Sequence, residues 1–197
     1  MNEALRAELI EMKDYDFQVR QRLLDEGKLG GFYVPEMEVV HYQNAARLRE
    51  IIAEHGWPHE EIAGEDGAKA AWLIAQHAIG EPDFQRESLR YLQRHAAEGK
   101  LPAWHAAYLE DRIAVQEGRL QRYGTQWIDD IRDGLTRPLP LEDPEHINEL
   151  RASVGLGPLH PIPLPGPDLP EEIQKQEQAI SEEWEAWFIK VGWRKKD

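Results

Sequence analysis

Residues 68–79 read Ala-Lys-Ala-Ala-Trp-Leu-Ile-Ala-Gln-His-Ala-Ile, and this stretch decides the fold of the protein. Only Lys69, Gln76 and His77 are polar, so a helix formed here has no continuous polar face. A helix that is apolar nearly all round is buried on most of its sides. The stretch therefore predicts a central helix with other helices packed around it.

Proline at the start and glycine after the end mark three further helices. They are predicted from Pro35 to about His55, from Pro82 to Gly99 and from Pro102 to near Gly118. Proline fits the first helical turn and glycine ends a helix, so the boundaries agree with the chemistry of helix ends. Apolar residues seven apart predict a fourth helix over residues 2–26. We expect a mainly α protein, a helical bundle around helix 68–79.

The pattern changes after Gly118. β-type residues on both sides of Asp133-Gly134 predict a small hairpin-like β excursion near 124–141. A short helix follows to Val154, and six prolines in residues 155–170 predict an extended connector that lies against the body. A last amphipathic helix is predicted over 170–191. Its apolar face is expected to dock, and the residues that form that face are Ile180, Trp184, Trp187 and Phe188.

These patterns divide the chain into three segments. Residues 1–34 form an N-terminal helix and turn, residues 35–159 form a helical core with the hairpin, and residues 160–197 form the proline-rich connector and C-terminal helix. The apolar face of the last helix has to be buried against another surface, because a large exposed apolar face leads to association or aggregation. We expect docking within the chain, with the first helix as the partner; the alternative is a homodimer through the terminal helices.

Charge and composition exclude several classes of function. Lys and Arg total 23 and Asp and Glu total 37, which gives a formal net charge of −14 and argues against nucleic-acid binding. Cysteine is absent, so disulfides, thiolate nucleophiles and cysteine-ligated metals are excluded. The first residues form no apolar signal region and the chain has no long apolar run. We expect a cytoplasmic protein with no membrane partner.

One charged residue interrupts the apolar face of the first helix. Asp16 lies in the same column as Leu9 and Leu23. The pattern favours a position at the solvated margin of that face. The alternative is a buried carboxylate that is paired with a base elsewhere.

A second set of polar residues is predicted to point inward from the central and following helices. Burial of an unpaired amide or imidazole costs roughly 1–3 kcal/mol, so Gln76 and His77 need partners. Gln85 and Asp111 lie on the apolar stripes of their helices, and Arg112, Tyr123 and Gln126 follow near them. An imidazole beside a carboxylate suits acid–base chemistry. We predict His77 and Asp111 as the catalytic pair, with Gln76, Gln85, Arg112, Tyr123 and Gln126 as ligand-binding residues.

Metal and cofactor motifs are weak in this sequence. There is no His-Glu-x-x-His motif and no phosphate-binding glycine loop. Two imidazoles and a carboxylate can assemble from His77, His95 or His105 together with Asp111, but His95 and His105 lie near helix ends, where solvated positions are common. The prediction is a site without metal or cofactor.

Several short motifs, taken in order, resemble one family. They are Trp72-Leu-Ile-Ala-Gln-His-Ala, Asp83-Phe-Gln, Ala107-Tyr-Leu-Glu-Asp-Arg, Tyr123-Gly-Thr-Gln, Pro140-Leu-Glu-Asp-Pro and Arg151-Ala-Ser-Val-Gly-Leu. Together they resemble an uncharacterised family of bacterial proteins, a domain of unknown function, over roughly Asn44 to Leu159. The resemblance implies that the predicted site residues are family features together with Gly124 and Thr125. It implies no reaction. The family tends to have an acidic residue where this chain has Ile79.

Two functions are compatible with these residues. The first is a small cofactor-independent enzyme, or enzyme-like binder, of a polar or anionic small molecule or peptide group. There His77 is the acid–base residue, Asp111 orients it and Arg112 contacts the anion. The alternative is a non-catalytic interaction module, of the adaptor or immunity type, whose polar residues are structural.

Overall fold

A computed structural model describes residues 1–29, 32–130, 132–160 and 168–196. The described residues form seven α-helices and one two-stranded hairpin, which confirms the mainly α fold. The elements are α1 (Glu3–Asp25), α2 (Pro35–His55), α3 (Glu60–His77), α4 (Pro82–Ala97), α5 (Ala103–Gln116), β1 (Trp127–Asp130), β2 (Leu135–Pro138), α6 (Ile147–Ser153) and α7 (Glu171–Val191). None of the helices in these ranges has the length and apolarity needed to cross a membrane.

The chain folds into two compact units. We call Met1–Leu101, which contains α1 to α4, the N-terminal unit, and Pro102–Asp197, which contains the remaining elements, the C-terminal unit. Each unit has buried apolar residues of its own, such as Leu48 in the first and Leu109 in the second. The division into segments 1–34, 35–159 and 160–197 rests on sequence patterns and stays a prediction.

The N-terminal unit is organised around α3, the predicted central helix. α3 packs most extensively on α1 and also contacts α2 and α4. It begins at Glu60, eight residues before the predicted start, because the chain is already helical before a kink at Gly64. Gly64 has φ 69°, which favours glycine. A Cβ on Gly67 would lie 3.4 Å from the Cα of Arg6, so this small residue lets α1 approach α3 closely.

The buried face of α1 contains a charged residue. Leu9, Asp16 and Leu23 are 0%, 2% and 0% exposed, so their column is the centre of the face. Phe17 and Leu24, two other apolar residues of this helix, are exposed. The expectation that Asp16 lies at a solvated margin is therefore wrong. The alternative, a buried carboxylate, is what the structure contains.

The C-terminal unit contains the predicted hairpin. β1 and β2 are antiparallel, with Trp127 opposite Pro138 and Asp130 opposite Leu135. Gly134 has φ 71° in the turn, as an Asp-Gly turn requires. α6 is shorter than predicted and begins only at Ile147, after a loop in which Asp143 accepts a hydrogen bond from the His146 N–H.

The C-terminal helix docks with only part of the predicted set of residues. Trp187 is buried, but Trp184 and Phe188 are only half-buried, and the second fully covered aromatic is Trp193, just after the helix. Arg194 donates hydrogen bonds to the carbonyls of Val115 and Gln116 at the end of α5. The end of α7 is therefore fixed to α5 within its own unit. The middle of the proline-rich connector, residues 161–167, lies outside the described residues.

Candidate functional site

Three helices of the N-terminal unit bring one carboxylate and two imidazoles together. The Oδ2 atom of Asp16 lies 2.8 Å from Nδ1 of His77 and 3.4 Å from Nε2 of His41. The two imidazole ring centres are 5.3 Å apart. We call these three residues the Asp16 cluster.

The accessibility of the cluster decreases from His77 to Asp16. The His77 side chain is 24% exposed, that of His41 is 12% exposed and that of Asp16 is 3% exposed. The cluster therefore has a buried carboxylate at its base and an imidazole that reaches solvent.

The backbone around His77 is fixed by Gln85. Gln85 is fully buried on α4, and its Nε2 donates hydrogen bonds to the carbonyls of Ala75 and Gln76, at 2.7 and 2.9 Å. The last carbonyls of a helix have no partner within the helix, so an amide donor from α4 stabilises this end of α3. Gln76 is buried beside His77. Gln85 thus positions His77 through the main chain.

His41 is oriented by a buried tyrosine. Its Nδ1 lies 2.6 Å from the hydroxyl of Tyr33, and the two rings stack with centres 5.7 Å apart. Burial raises the pKa of Tyr33 above its ordinary value, so the hydroxyl keeps its proton. When His41 has its proton on Nδ1 and donates to the Tyr33 oxygen, Nε2 keeps a lone pair directed at Asp16.

The electrostatics of the cluster favour a charged carboxylate. Burial by itself raises the pKa of Asp16, but the hydrogen bond with His77 and the two imidazoles close to the carboxylate outweigh it and hold the pKa well below its usual range. Asp16 is therefore an anion at neutral pH.

Two buried atoms in the cluster have no hydrogen-bond partner among the described residues. They are Oδ1 of Asp16 and Nε2 of His41. The His41 Nε2 atom lies 3.4 Å from Oδ2 of Asp16, but the two atoms do not form a well-directed hydrogen bond. One ligand atom from each of the three residues lies within 4.8 Å of the other two. Two imidazoles and one carboxylate at this spacing can hold a divalent transition-metal ion.

The C-terminal unit contains the other predicted catalytic residue. The sequence predicts Asp111 as the carboxylate beside His77, and the carboxylate found there is Asp16. Asp111 is fully buried and accepts hydrogen bonds from the N–H groups of Arg122, Tyr123 and Thr125 and from the Thr125 hydroxyl, at 2.7 to 3.1 Å. Both oxygens are fully used, so Asp111 holds the loop after α5 in place.

The remaining predicted ligand-binding residues lie around this loop. Gln126 donates its N–H to Oε1 of the buried Gln121, and its side chain donates to the Thr125 hydroxyl. Tyr123 accepts a hydrogen bond from Arg151 on its carbonyl, and burial raises the pKa of its phenol. Arg112 is half-buried on α5, and desolvation lowers the pKa of its guanidinium to about 10, so it stays cationic. Tyr123 and Gln126 thus take part in the hydrogen bonds that hold this loop together, and their roles as ligand contacts stay predictions.

Sequence reasoning missed two members of the site, His41 and Tyr33. His41 lies beside the apolar stripe of α2, so its spacing alone did not separate it from a surface residue. The signal that could have found the site was Asp16, a single charge in an apolar column, since a buried carboxylate requires a base or a cation as partner.

Comparisons with known proteins extend the resemblance seen in the sequence. No curated protein and no solved structure matches the chain. One family model matches residues 3–163, which adds α1 and therefore Asp16 to the region expected from the motifs. All three residues of the Asp16 cluster lie within the match, whereas the whole of α7 lies outside it. The chain belongs to the family of unknown function DUF6624.

Proposed function

We propose that this protein is a small enzyme, or enzyme-like binder, for a polar or anionic small molecule, with a divalent transition-metal ion in the Asp16 cluster as its working centre. The observation that carries the proposal is the pair of buried atoms without partners, Asp16 Oδ1 and His41 Nε2. Each such atom costs about 1–3 kcal/mol if nothing binds it. A cation between them removes both costs at once.

The distances in the cluster are close to those of a metal site. In a tetrahedral zinc site with bonds of about 2.0–2.1 Å, ligand atoms are about 3.3 Å apart and two imidazole ring centres are about 5 Å apart. The His41 Nε2 to Asp16 Oδ2 distance is 3.4 Å and the ring centres are 5.3 Å apart. The 2.8 Å contact between His77 and Asp16 would have to open by about half an ångström.

The surrounding residues support metal binding. In the tautomer of His41 that has its proton on Nδ1, this N–H donates a hydrogen bond to the Tyr33 oxygen and Nε2 can coordinate an ion, which is the usual arrangement around a metal-bound histidine. The net charge of −14 attracts cations to the protein. This proposal departs from the sequence-based expectation of a cofactor-independent site, because that expectation paired His77 with Asp111 and omitted His41.

A bound ion of the zinc class supplies positive charge and polarises water or an oxygen ligand. The chain's own residues hold and orient it: Asp16 provides the buried anion, His41 the inner imidazole and His77 the imidazole nearest solvent. A polar or anionic small molecule is the ligand class that such a cation binds.

Co²⁺ binding followed by visible absorption tests the proposal. After removal of metal with EDTA, the protein is expected to bind Co²⁺ with a stoichiometry that falls by one in His41→Gln and in Asp16→Asn. His55→Gln is the matched control, because His55 is an exposed histidine on the same helix, and it should bind as the wild type does. Equal Co²⁺ stoichiometry in wild type and His41→Gln would reject the metal centre.

Inorganic phosphate then tests the ligand class. Phosphate is expected to change the absorption of the Co²⁺ bound in the wild type and in His55→Gln, because an anion enters the coordination sphere of an accessible ion. A spectrum that phosphate, acetate and carbonate all leave unchanged would show a closed, structural metal site and would reject the enzyme or binder function.

The second candidate is a non-catalytic interaction module. It is favoured by the hairpin, where Trp127, Ile128 and Leu135 are 44%, 56% and 45% exposed, and by the saturated bonds of Asp111 in the same unit. In this case the exposed apolar residues of the hairpin would contact another protein. Trp127→Ser and Ile128→Ser would then abolish binding to that protein and leave metal binding unchanged.

A further inference from the structure

A second pair of buried histidines lies elsewhere in the N-terminal unit. His59 is the residue just before α3 and His95 is near the end of α4, and their exposed fractions are 8% and 7%. Their ring centres are 5.2 Å apart, with the planes tilted by 39°. None of these atoms belongs to the Asp16 cluster.

Three of the four ring nitrogens of this pair have no hydrogen-bond partner in the described part of the chain. Nδ1 of His59 and both ring nitrogens of His95 are buried without a hydrogen-bond partner. Buried polar atoms are normally hydrogen-bonded, so three unpaired nitrogens at one place are unusual in a folded protein and lower its stability. Helix packing explains why the rings are buried, but it does not explain why polar rings lie here.

Two carboxylates lie at the outer side of the pair. Oε2 of Glu98 is 3.6 Å from Nδ1 of His95, and Oε2 of Glu61 is 3.9 Å from Nδ1 of His59. These distances are too long for hydrogen bonds. The ligand atoms of His59, His95 and either carboxylate do not all lie within 4.8 Å of one another, so a carboxylate has to turn toward the rings to share an ion with them. The side chains of Glu98 and Glu61 are 42% and 77% exposed, so both can rotate toward an ion that arrives from solvent.

We propose that His59, His95 and Glu98 form a second site for a divalent transition-metal ion of the zinc class, with Glu61 as a fourth ligand at the outer edge. The distance of 5.2 Å between the rings matches the distance of about 5 Å expected for two imidazoles on one tetrahedral ion. Imidazole and carboxylate together suit zinc and its neighbours in the first transition row. An ion at this site would tie the start of α3 to the end of α4.

Zn²⁺ titration of the full-length, EDTA-treated protein by calorimetry tests this site separately from the Asp16 cluster. The wild type is expected to bind two equivalents. The His41→Gln protein should keep one equivalent, and the double variant His41→Gln/His95→Gln should bind none. Zn²⁺ should also raise the Tm of His41→Gln, because it binds the folded state.

Glu98→Gln keeps the test informative if His95→Gln unfolds the protein. Glu98 is an exposed surface residue, so its substitution leaves the fold intact, and it should weaken the Zn²⁺ affinity of His41→Gln about tenfold or more. His146→Gln is the control, because His146 is an exposed histidine beside Asp143, and it should leave the affinity unchanged.

The possible stoichiometries separate the two proposals. If the wild type binds one equivalent and His41→Gln binds none, the second site is rejected and the Asp16 cluster stands. If the single equivalent survives His41→Gln and is lost in His95→Gln, the second site stands and the proposed function fails. Unchanged Zn²⁺ affinity after Glu98→Gln would reject a ligand set that includes Glu98.

Discussion

Asp111 and Asp16 are buried aspartates, one in each unit, and the protein stabilises their carboxylates with different kinds of partner. Asp111 receives three backbone N–H groups and one hydroxyl, all from residues 122–125. Asp16 faces two imidazoles from distant parts of the chain, and one of its oxygens has no partner among the described residues. Backbone donors cannot change their charge or leave, whereas imidazoles can gain a proton or bind a metal ion.

The difference separates a structural carboxylate from a candidate functional one. A carboxylate saturated by fixed donors has no capacity left for a ligand, and its removal leaves those donors unsatisfied. A carboxylate with an unused oxygen and titratable neighbours can bind a cation at little structural cost. Matched substitutions are therefore expected to affect the two residues differently.

The largest effect is expected from Asp111→Asn. The new amide would direct N–H groups at backbone N–H donors and would lose the negative charge, which should lower the free energy of unfolding by about 3 kcal/mol. Urea denaturation at pH 7 measures it. Asp129→Asn, at an exposed aspartate that accepts a hydrogen bond from the Thr136 hydroxyl, is the control and should change it by less than about 0.5 kcal/mol. Equal losses for both variants would contradict the structural role of Asp111.

A smaller loss is expected from Thr125→Val. This change keeps the shape of the side chain but removes the hydroxyl that donates to Asp111 at 2.9 Å. The free energy of unfolding should fall by about 1 kcal/mol, since the three backbone donors remain. Thr136→Val on the exposed face of the hairpin serves as the matched control in the same urea experiment. A loss as large as that of Asp111→Asn would mean that the hydroxyl, and not the backbone, dominates this network.

Asp16→Asn should lower stability less than Asp111→Asn does at pH 7 in EDTA. The charged form of Asp16 stabilises the folded state, as its lowered pKa indicates, but the amide can still donate to one imidazole and accept from the other. The free energy of unfolding should fall by about 1 kcal/mol, and metal binding is lost. Parallel urea curves for Asp16→Asn and Asp111→Asn measure the contrast directly. A loss of about 3 kcal/mol in both would make Asp16 as structural as Asp111.

The smallest effect is expected at an exposed aspartate in the hairpin. A hydrogen bond from Arg137, helped by the Leu135 N–H, lowers the pKa of Asp133 to about 2. In the unfolded chain this pKa is about 3.9, so the stabilisation is present above about pH 4 and is lost as the pH falls toward about 2. The wild type should therefore exceed Asp133→Asn slightly in stability at about pH 5. The two should coincide by about pH 2; a difference that grows on acidification would contradict this assignment.

Most of the fold was predictable because its signals are local. The proline and glycine boundaries predicted α2 to its last residue, and Asp133-Gly134 predicted the turn of the hairpin. The start of α3 was missed because Gly64 and Gly67 are typical of a helix boundary, whereas here they accommodate a kink and the close approach of α1. The docking residues of α7 were only partly predicted, because Trp193 lies beyond the helix whose period was counted.

For the site, the sequence by itself determined that His77, Gln76, Gln85 and Asp111 would be buried or half-buried polar groups in need of partners. It also showed that one carboxylate, Asp16, interrupted an apolar column. Only the tertiary structure decided the pairing. Helical periodicity states which face of a helix a residue occupies, but not which distant helix covers that face. Asp16 and His77 are 61 positions apart in the chain, and the packing of α1 on α3 brings the carboxylate to His77.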